Sequence, residues 1–336
     1  MTLSEKNSQP VLAVEHLRTE FASRNGLAVP VDDVSFSIEA GQIMGLVGES
    51  GSGKSMTAYS IMGLLDAPGK VVSGKILLNG RDLRGLPSEA MRQMRGNRIA
   101  MIFQDPMMTL NPVLRIDTQM IEAVLAHQAI SREQARTLAR AALIRVGIAA
   151  PDERLRAYPH QFSGGMRQRV AVAIALINKP DLIICDEPTT ALDVTIQGQI
   201  LYEMQKLCRE SGTALIWITH DLSVVAGLAD TVAVMYAGRI VESGSTAQVL
   251  GHPRHPYTHG LIASAPSRNP PGQALKAIPG NTPSLLKLPS GCAFRERCAN
   301  ATYVCTQPPQ LQEIDQRLLR CFHPMNDLTE NSRAAT

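Results

Sequence analysis

The sequence predicts an α/β fold with a largely parallel sheet, from three observations. Apolar strand-like runs alternate with helical segments around residues 43–65 and again over 182–236. The block between them, residues 112–178, has helical periodicity and no strand signal, which indicates a helical insertion. The first part of the chain has strand patterns at 11–21 and 34–38, which indicate an antiparallel edge subdomain. Alternating strands and helices favour parallel pairing with helices on both faces of the sheet.

Length and composition limit the class of protein. The 336 residues exceed one average domain and indicate two, and a hydrophobic content of 44% is enough for a sizeable core. The net charge of +3 gives no reason to expect a nucleic-acid partner. Residues 1–10 are polar and no run approaches about 18 apolar residues, so we expect neither a signal peptide nor a membrane-spanning helix. Six cysteines in a chain kept in the cytoplasm are not expected to form structural disulfides.

A change in composition marks the expected domain boundary. Prolines accumulate over residues 265–291, which indicates a linker or an extended wrapping segment. We therefore expect one domain over 1–264, with a helical subdomain at about 112–178, and a smaller domain over 265–336 that carries four of the six cysteines.

A glycine-rich motif follows the first apolar run and precedes a helical segment that begins near Met56. Its residues are, in order, Gly48, Glu49, Ser50, Gly51, Ser52, Gly53, Lys54 and Ser55. The motif matches G-x-x-x-x-G-K-[ST] between a strand and a helix, the context that a phosphate-binding loop requires. Glycines let backbone N–H groups turn toward a phosphate, and the helix N-terminus adds partial positive charge. Lys54 is expected to reach the β- and γ-phosphates of a nucleotide, and the Ser55 hydroxyl to bind Mg²⁺.

Polar residues also follow three other predicted strands. The apolar run 182–185 ends in Asp186, expected to hold Mg²⁺, and Glu187, expected to orient and deprotonate the attacking water. Gln104 and His220 each follow a strand, so we expect both at the same sheet edge as Glu187, with Gln104 near Mg²⁺ or the water and His220 near the γ-phosphate. Taken singly, each is more often a helix cap or a polar loop residue. Because they are expected at one edge of the sheet, a functional role is favoured over these alternatives.

A second anion-binding nest is indicated at Ser163-Gly164-Gly165, which opens the apolar helix at 170–177. One nucleotide needs only one such loop, so this second nest has no evident use within a single chain. An ordinary helix N-cap at Ser163 remains the alternative.

The order of these motifs resembles that of ATP-binding-cassette (ABC) ATPases over residues 11–250. The resemblance implies an ABC-type P-loop NTPase that hydrolyses ATP with Mg²⁺, with ATP contacts from Gly48 through Met56 and stacking of adenine on Phe21, or on Phe36 as the alternative. It implies that Mg²⁺ is held through Ser55, Gln104 and Asp186, and that Lys54, Gln104, Glu187 and His220 are catalytic. In this family the signature loop contacts ATP held by a second subunit, which assigns that role to Ser163, Gly164, Gly165 and Asp193. Phe162 and Met166 depart from the commonest form of the signature.

The segment after the cassette resembles ATPases of oligopeptide and dipeptide importers, at residues 254–258, 278–281 and 291–294. The resemblance implies a subunit that lies peripherally on the cytoplasmic side of the inner (plasma) membrane. Its implied partners are a second ABC ATPase subunit, identical or different, two transmembrane permease subunits and, through these, an extracytoplasmic solute-binding protein. The alternatives are import of nickel chelates or glutathione, a non-transport ABC ATPase, and a regulatory module that binds ATP without turnover.

Four cysteines cluster near the end of the chain: Cys292, Cys298, Cys305 and Cys321. A tail this small buries little core, and a metal centre commonly compensates for that. The spacing lacks a C-x₂-C pair and so fits neither a zinc ribbon nor a common ferredoxin motif. Resemblance to some dipeptide-importer ATPases implies a [4Fe–4S] cluster; a four-cysteine Zn²⁺ site and plain thiols are the alternatives. Cys185 and Cys208 are expected in the core.

Overall fold

The architecture comes from a computed structural model that describes residues 9–105, 109–189, 194–266, 269, 272, 274 and 276–325. Contacts divide the chain into two units that alternate along the sequence. The first unit comprises 1–13, 37–43 and 76–217, and the second comprises 14–36, 44–75 and 218–336.

The described part of the chain contains strands, α-helices and short 3₁₀ helices. The strands are β1 (Leu12–Ser23), β2 (Gly26–Ile38), β3 (Ile43–Val47), β4 (Gly69–Leu78), β5 (Arg81–Asp82), β6 (Ile99–Ile102), β7 (Leu182–Asp186), β8 (Ala214–Thr219), β9 (Thr231–Tyr236), β10 (Arg239–Ser245), β11 (Gln312–Ile314) and β12 (Arg317–Leu319). The α-helices are Lys54–Met62, Ser88–Met94, Ile116–Leu125, Arg132–Arg145, Pro151–Arg156, Gly164–Leu176, Val194–Ser211, Leu222–Leu228, Thr246–Gly251 and Pro256–Ala263, and the 3₁₀ helices are Pro159–Gln161, Arg295–Arg297 and Tyr303–Thr306.

The first unit combines a parallel strand pair with the predicted helical insertion. β6 and β7 pair in parallel with Ile99 opposite Leu182, and their side chains are almost all buried, as expected of strands covered on both faces. Residues 112–178 are all described and contain helices but no strand, so the expected helical character of this block is confirmed. Ser131 and Gln134 have the spacing of a capping box, which predicts a helix start, and the structure confirms it: the Gln134 N–H donates to Ser131 Oγ at 3.2 Å, and the Ser131 N–H donates to Gln134 Oε1 at 2.9 Å.

The second unit has a parallel pair that continues into antiparallel strands. β3 pairs with β9 in parallel, and β9 is joined to β10 by a tight turn in which Ala237 and Gly238 both have positive φ. β12 and then β11 continue the antiparallel order from β10. The wholly buried Glu242 of β10 accepts hydrogen bonds from the backbone N–H of His255 at 2.9 Å and from Arg317 Nη1 of β12 at 3.2 Å. The tail is thereby fixed to the cassette strands of this unit.

The structure differs from the sequence predictions mainly at strand ends and in the tail. β2 begins at Gly26 and not at residue 34, because the acidic residues within it are paired: Asp32 with Arg239 and Asp33 with Arg320, the latter at 2.9 Å. Such pairing lets carboxylates lie in a strand whose sequence pattern looks polar. The strands β10–β12 and the helices after residue 245 were not predicted. Among the described residues, no helix is both long enough and apolar enough to cross a bilayer.

Candidate nucleotide site

The glycine-rich motif forms a tight loop between β3 and the helix Lys54–Met62. Gly48, Gly51 and Gly53 have φ values of 154°, 77° and 106°, which L side chains rarely adopt. A Cβ on Gly48 would lie 2.2 Å from the carbonyl oxygen of Met235, and one on Gly53 would lie 2.0 Å from that of Pro30. Backbone conformation and close packing therefore both require glycine, as expected for a phosphate-binding loop.

The side chains of the loop suit an anionic ligand. Lys54 is 5% exposed, and its ammonium donates to the carbonyl oxygens of Gly48 at 2.8 Å and Glu49 at 2.9 Å, so it lies across the loop. Ser52 Oγ is buried and, among the described residues, has no hydrogen-bond partner. A buried hydroxyl without a partner is costly unless a ligand or water completes its bonding. Ser55 and Met56 follow in the first helical turn and are partly buried.

The end of β7 brings two of the predicted catalytic residues together. Asp186 is 2% exposed, and Glu187 follows it with φ 45°. Gln104 Nε2 donates to Glu187 Oε2 at 3.3 Å, so the expectation that these two strand ends meet is confirmed for Gln104 and Glu187. A non-glycine residue at positive φ is strained, and such strain concentrates at functional positions.

Two further predicted residues lie in the second unit. His220 is exposed and directly follows β8, while Asp221 caps the next helix by accepting the Ser223 N–H at 2.8 Å. The Phe21 ring on β1 lies against Gly69 of β4, where an added Cβ would be 2.5 Å from the ring carbons. That glycine leaves room for the ring. The catalytic role of His220 and the adenine-stacking role of Phe21 stay predictions.

The second nest has the local geometry of an open helix N-terminus. Ser163 is exposed and caps the helix Gly164–Leu176, accepting the Met166 N–H at 3.3 Å, so the N-cap alternative is correct as a local description. Phe162 is 3% exposed and anchors the loop. Among the described residues, nothing lies within 4 Å of a Cβ added to Gly164, so the space beside it is open. Asp193 lies outside the described residues.

Two tail residues, Arg297 and Thr282, and Tyr257 of the helix Pro256–Ala263 contact Glu49 of the phosphate-binding loop, and sequence reasoning missed all three contacts. Arg297 makes a two-pronged ion pair with the Glu49 carboxylate, Thr282 Oγ1 donates to it at 2.9 Å, and the Tyr257 hydroxyl accepts the Glu49 N–H at 2.8 Å. The sequence offered one signal for these contacts. Glu49 places a negative charge in a loop that anionic phosphate approaches, so a cationic partner for it could have been expected.

The four tail cysteines line one cavity, together with His255 and His323. Burial raises the pKa of three of these thiols, that of Cys321 to about 12, and neighbouring cysteines add to the increase. Backbone N–H groups act in the opposite direction and lower the pKa of Cys292, Cys298 and Cys321. Among the described residues, no group of three or more His, Cys, Asp or Glu side chains is arranged to hold a metal ion. Cys185 and Cys208 are wholly buried, as expected.

Comparisons with known proteins identify the family. The model of the ABC transporter family matches residues 31–190, and that of the oligopeptide/dipeptide transporter C-terminal region matches 241–305. The oligopeptide transport ATP-binding protein OppD of Escherichia coli (strain K12) is 45% identical over 97% of this chain and 97% of its own length. The dipeptide transport ATP-binding protein DppD of Bacillus subtilis (strain 168) is 47% identical over 94% of this chain and 95% of its own length.

Solved structures agree on the fold. The dimeric cassette MJ0796 in a post-hydrolysis state, bound to ADP and Pi, aligns with a TM-score of 0.63 at 25% identity and covers 70% of this chain and 98% of that one. Clostridium perfringens cbiO1, part of the ABC transporter complex cbiONQ, aligns with a TM-score of 0.62 at 26% identity over 73% of this chain and 92% of that one. The predicted ABC-type P-loop fold is thus confirmed. The chain belongs to the ABC transporter ATPases, in the group whose cassette continues into the C-terminal region of oligopeptide/dipeptide transporters.

Proposed function

We propose that this chain hydrolyses ATP to energise the import of oligopeptides or dipeptides through a membrane transporter. The observation that carries the proposal is similarity to peptide-transport ATP-binding proteins along nearly the whole chain, tail included. The motifs of ATP hydrolysis are common to ABC ATPases of any function, whereas the tail is not needed for that chemistry. Import of nickel chelates or glutathione by the same type of subunit is the second candidate.

The side chains divide the work of ATP hydrolysis among them. Residues 48–56 bind the phosphates, with Lys54 turning from its own loop carbonyls toward the β- and γ-phosphates. Glu187 accepts the proton of the attacking water, and Gln104, which already donates to the Glu187 carboxylate, helps to orient that water. His220 donates to the γ-phosphate, and Phe21 stacks on adenine, a contact worth about 1–3 kcal/mol.

ATP is used as its Mg²⁺ complex, and the donor set of the chain suits that ion. Mg²⁺ prefers oxygen ligands from carboxylates, hydroxyls and amide carbonyls. Ser55, Gln104 and Asp186 supply those three groups, and the near-complete burial of Asp186 suits a carboxylate that acts on a cation. When bound, Mg²⁺ neutralises charge that develops on the phosphates during hydrolysis.

The open nest at Ser163-Gly164-Gly165 supports a composite site with a second cassette. Its exposed serine and the open space beside Gly164 leave room for the γ-phosphate of ATP held by a partner subunit. Asp193 would act in the same interface. We infer that the chain pairs with an identical or different ABC ATPase. The pair would dock on two permease subunits at the cytoplasmic side of the inner membrane and receive solute from an extracytoplasmic binding protein.

The boundary expected at 264/265 stays a prediction. Residues 265–336 add β11 and β12 to the edge of β10, and no nucleotide-site motif lies within them. We propose that this segment is the part of the chain specific to peptide importers.

The cargo is tested by uptake measurements in cells that lack this chain. Uptake of labelled dipeptide and pentapeptide is expected to be lost, to return with the wild-type chain and not to return with Lys54→Ala. Loss of nickel-chelate or glutathione uptake with normal peptide uptake would favour the second candidate. Unchanged uptake of every solute would refute a transport function.

We further propose that Cys292, Cys298, Cys305 and Cys321 bind one [4Fe–4S] cluster, with Zn²⁺ as the alternative. The observation that supports the proposal is that the four thiols line one cavity. Protein prepared without oxygen is expected to be brown with about four irons per chain. Negligible iron and zinc would refute both versions.

A further inference from the structure

We propose that Arg297 is a positioning residue for the nucleotide site: through Glu49, the cysteine-bearing tail sets the conformation of the phosphate-binding loop. This inference rests on the proposed ATP site. Arg297 Nη1 donates to Glu49 Oε2 at 2.6 Å and Nη2 donates to Oε1 at 2.9 Å, a two-pronged pairing. The Arg297 side chain is 7% exposed and that of Glu49 is 26% exposed, so water screens this pair less than an ordinary surface ion pair.

Three polar atoms of Glu49, both carboxylate oxygens and the backbone nitrogen, are hydrogen-bonded by Arg297, Thr282 and Tyr257. Its carboxylate also accepts a hydrogen bond from Thr282 Oγ1 at 2.9 Å, and its backbone N–H donates to the Tyr257 hydroxyl at 2.8 Å. Hydrogen bonds from Arg297 keep the pKa of the Glu49 carboxyl below its usual value, so the carboxylate stays charged. An acidic side chain this close to a phosphate site repels the ligand if it is free to turn inward. The bonds to Arg297 and Thr282 hold it in one position.

Glu49 is connected in turn to the residue that meets the phosphates. The Lys54 ammonium donates to the Glu49 carbonyl oxygen at 2.9 Å and to that of Gly48 at 2.8 Å. A shift of the Glu49 peptide therefore moves the acceptors that hold Lys54 in the absence of nucleotide. The path from Arg297 to Lys54 consists of two direct contacts through a single residue.

Arg297 is itself fixed, which is what a positioning residue requires. Its Nε donates to the Pro279 carbonyl oxygen at 2.9 Å, and its guanidinium lies 5.8 Å from the Tyr236 ring centre and 5.9 Å from that of Phe294. Those two rings meet edge to face at 5.2 Å, and both also contact the wholly buried Tyr257. The arginine thus projects from a rigid aromatic cluster that joins the tail to the end of β9.

Arg297 lies within the cysteine-bearing part of the tail. Arg297 ends a 3₁₀ helix that begins at Arg295, between Cys292 and Cys298. Anything that loosens this short segment therefore also loosens the clamp on Glu49. The functional consequence is that ATP affinity depends on an intact tail.

The test compares four full-length proteins: wild type, Arg297→Met, Glu49→Ala and the double variant. The dissociation constant for MgATP and the KM and kcat of hydrolysis are measured well below the melting temperature. Arg297→Met is expected to weaken MgATP binding about tenfold and to raise KM by a similar factor, with a smaller change in kcat. The double variant is expected to match Glu49→Ala, because Arg297 acts through Glu49 alone.

Two further variants separate positioning from simple loss of stability. Arg295→Met makes the same substitution in the same short helix at a partly exposed arginine and should leave affinity for MgATP unchanged. Tyr257→Phe keeps the buried ring and removes only the hydroxyl that accepts the Glu49 N–H. If Arg297→Met does not fold, this variant still tests whether contacts to Glu49 set the affinity for MgATP. It is expected to weaken binding several-fold.

The outcomes separate this inference from the proposed function. If wild type binds no MgATP, the proposed function fails and this inference fails with it. If wild type binds MgATP, Lys54→Ala does not, and Arg297→Met and Tyr257→Phe both bind as wild type does, the ATP site stands and the positioning role is refuted. Additive losses in the double variant would also refute action through Glu49.

Discussion

Replacing Glu187 with glutamine is expected to abolish most ATP hydrolysis while leaving ATP binding in place. Removal of a general base typically slows a reaction by about 10²–10⁴, or roughly 3–5 kcal/mol of barrier. The structure makes this substitution a clean one. Gln104 Nε2 donates to Glu187 Oε2, and the amide oxygen of a glutamine can accept the same hydrogen bond. The lost rate therefore measures the capacity of the carboxylate to accept a proton.

The backbone conformation also indicates that Glu187→Gln changes little besides the charge. Glu187 has φ 45°, and glutamine has the same side-chain length and branching as glutamate, so the strain at this position should not change. Glu187→Asp is the complementary variant: it keeps the charge but retracts the carboxylate by one methylene. We expect its rate to fall between those of wild type and Glu187→Gln.

The rate is measured as single-turnover hydrolysis in the assembled transporter, together with the amount of ATP retained. Glu89→Gln serves as the matched control, because Glu89 is an exposed glutamate whose ion pair with Arg92 lies on a surface helix. That control should hydrolyse ATP at the wild-type rate. Hydrolysis by Glu187→Gln at near the wild-type rate would refute the assignment of Glu187 as the base.

The remaining predictions concern packing, the second nest and a buried ion pair. Gly53→Ala should lose ATP binding and about 1–3 kcal/mol of stability, measured by nucleotide titration and denaturant unfolding, since its Cβ would overlap a backbone carbonyl. Ser163→Arg should leave the ATP affinity of the isolated chain unchanged but stop hydrolysis in the transporter. Loss of ATP affinity in the isolated chain would instead place this loop in the ATP site of the same chain. Arg317→Met should cost about 3–5 kcal/mol in denaturant unfolding, because it leaves a wholly buried carboxylate without its cation, whereas Arg140→Met, at an exposed pair, should cost under about 1 kcal/mol.

Sequence reasoning was most successful where a local pattern determines local structure. The spacing of Ser131 and Gln134 predicts the capping box that the structure contains. The dipeptide Asn79-Gly80 after an apolar run predicts a turn, and both of its residues have positive φ. The proximity of Gln104 and Glu187 followed from a topological rule, since parallel strands place their carboxyl ends at one edge. These inferences need only the residues near each element and the direction of the strands.

The contacts between the tail and the phosphate-binding loop could not be predicted in this way. Tyr257 is 208 residues from Glu49 along the chain, and Arg297 is 248 residues from it. A proline-rich segment has no periodicity from which its path could be derived. The length of β2 was missed for a related reason, because Asp32 is acceptable within a strand only through its pairing with Arg239, a residue 207 positions away.

The glycines of the two nests differ in what the fold itself requires of them. At Gly48 and Gly53 both the backbone angle and a nearby carbonyl exclude a side chain, so folding of this chain explains them. At Glu187 a glycine would relieve the left-handed backbone, yet a carboxylate is present, which points to chemistry. Gly164 has neither constraint among the described residues, and alanine at this helical position should be neutral or stabilising by up to about 1 kcal/mol. The open space beside Gly164 and the exposed Ser163 are compatible with the proposed approach of the γ-phosphate of ATP on a partner subunit, and Gly164→Ala tests it: the proposal expects hydrolysis by the transporter to fall while the isolated chain keeps its stability.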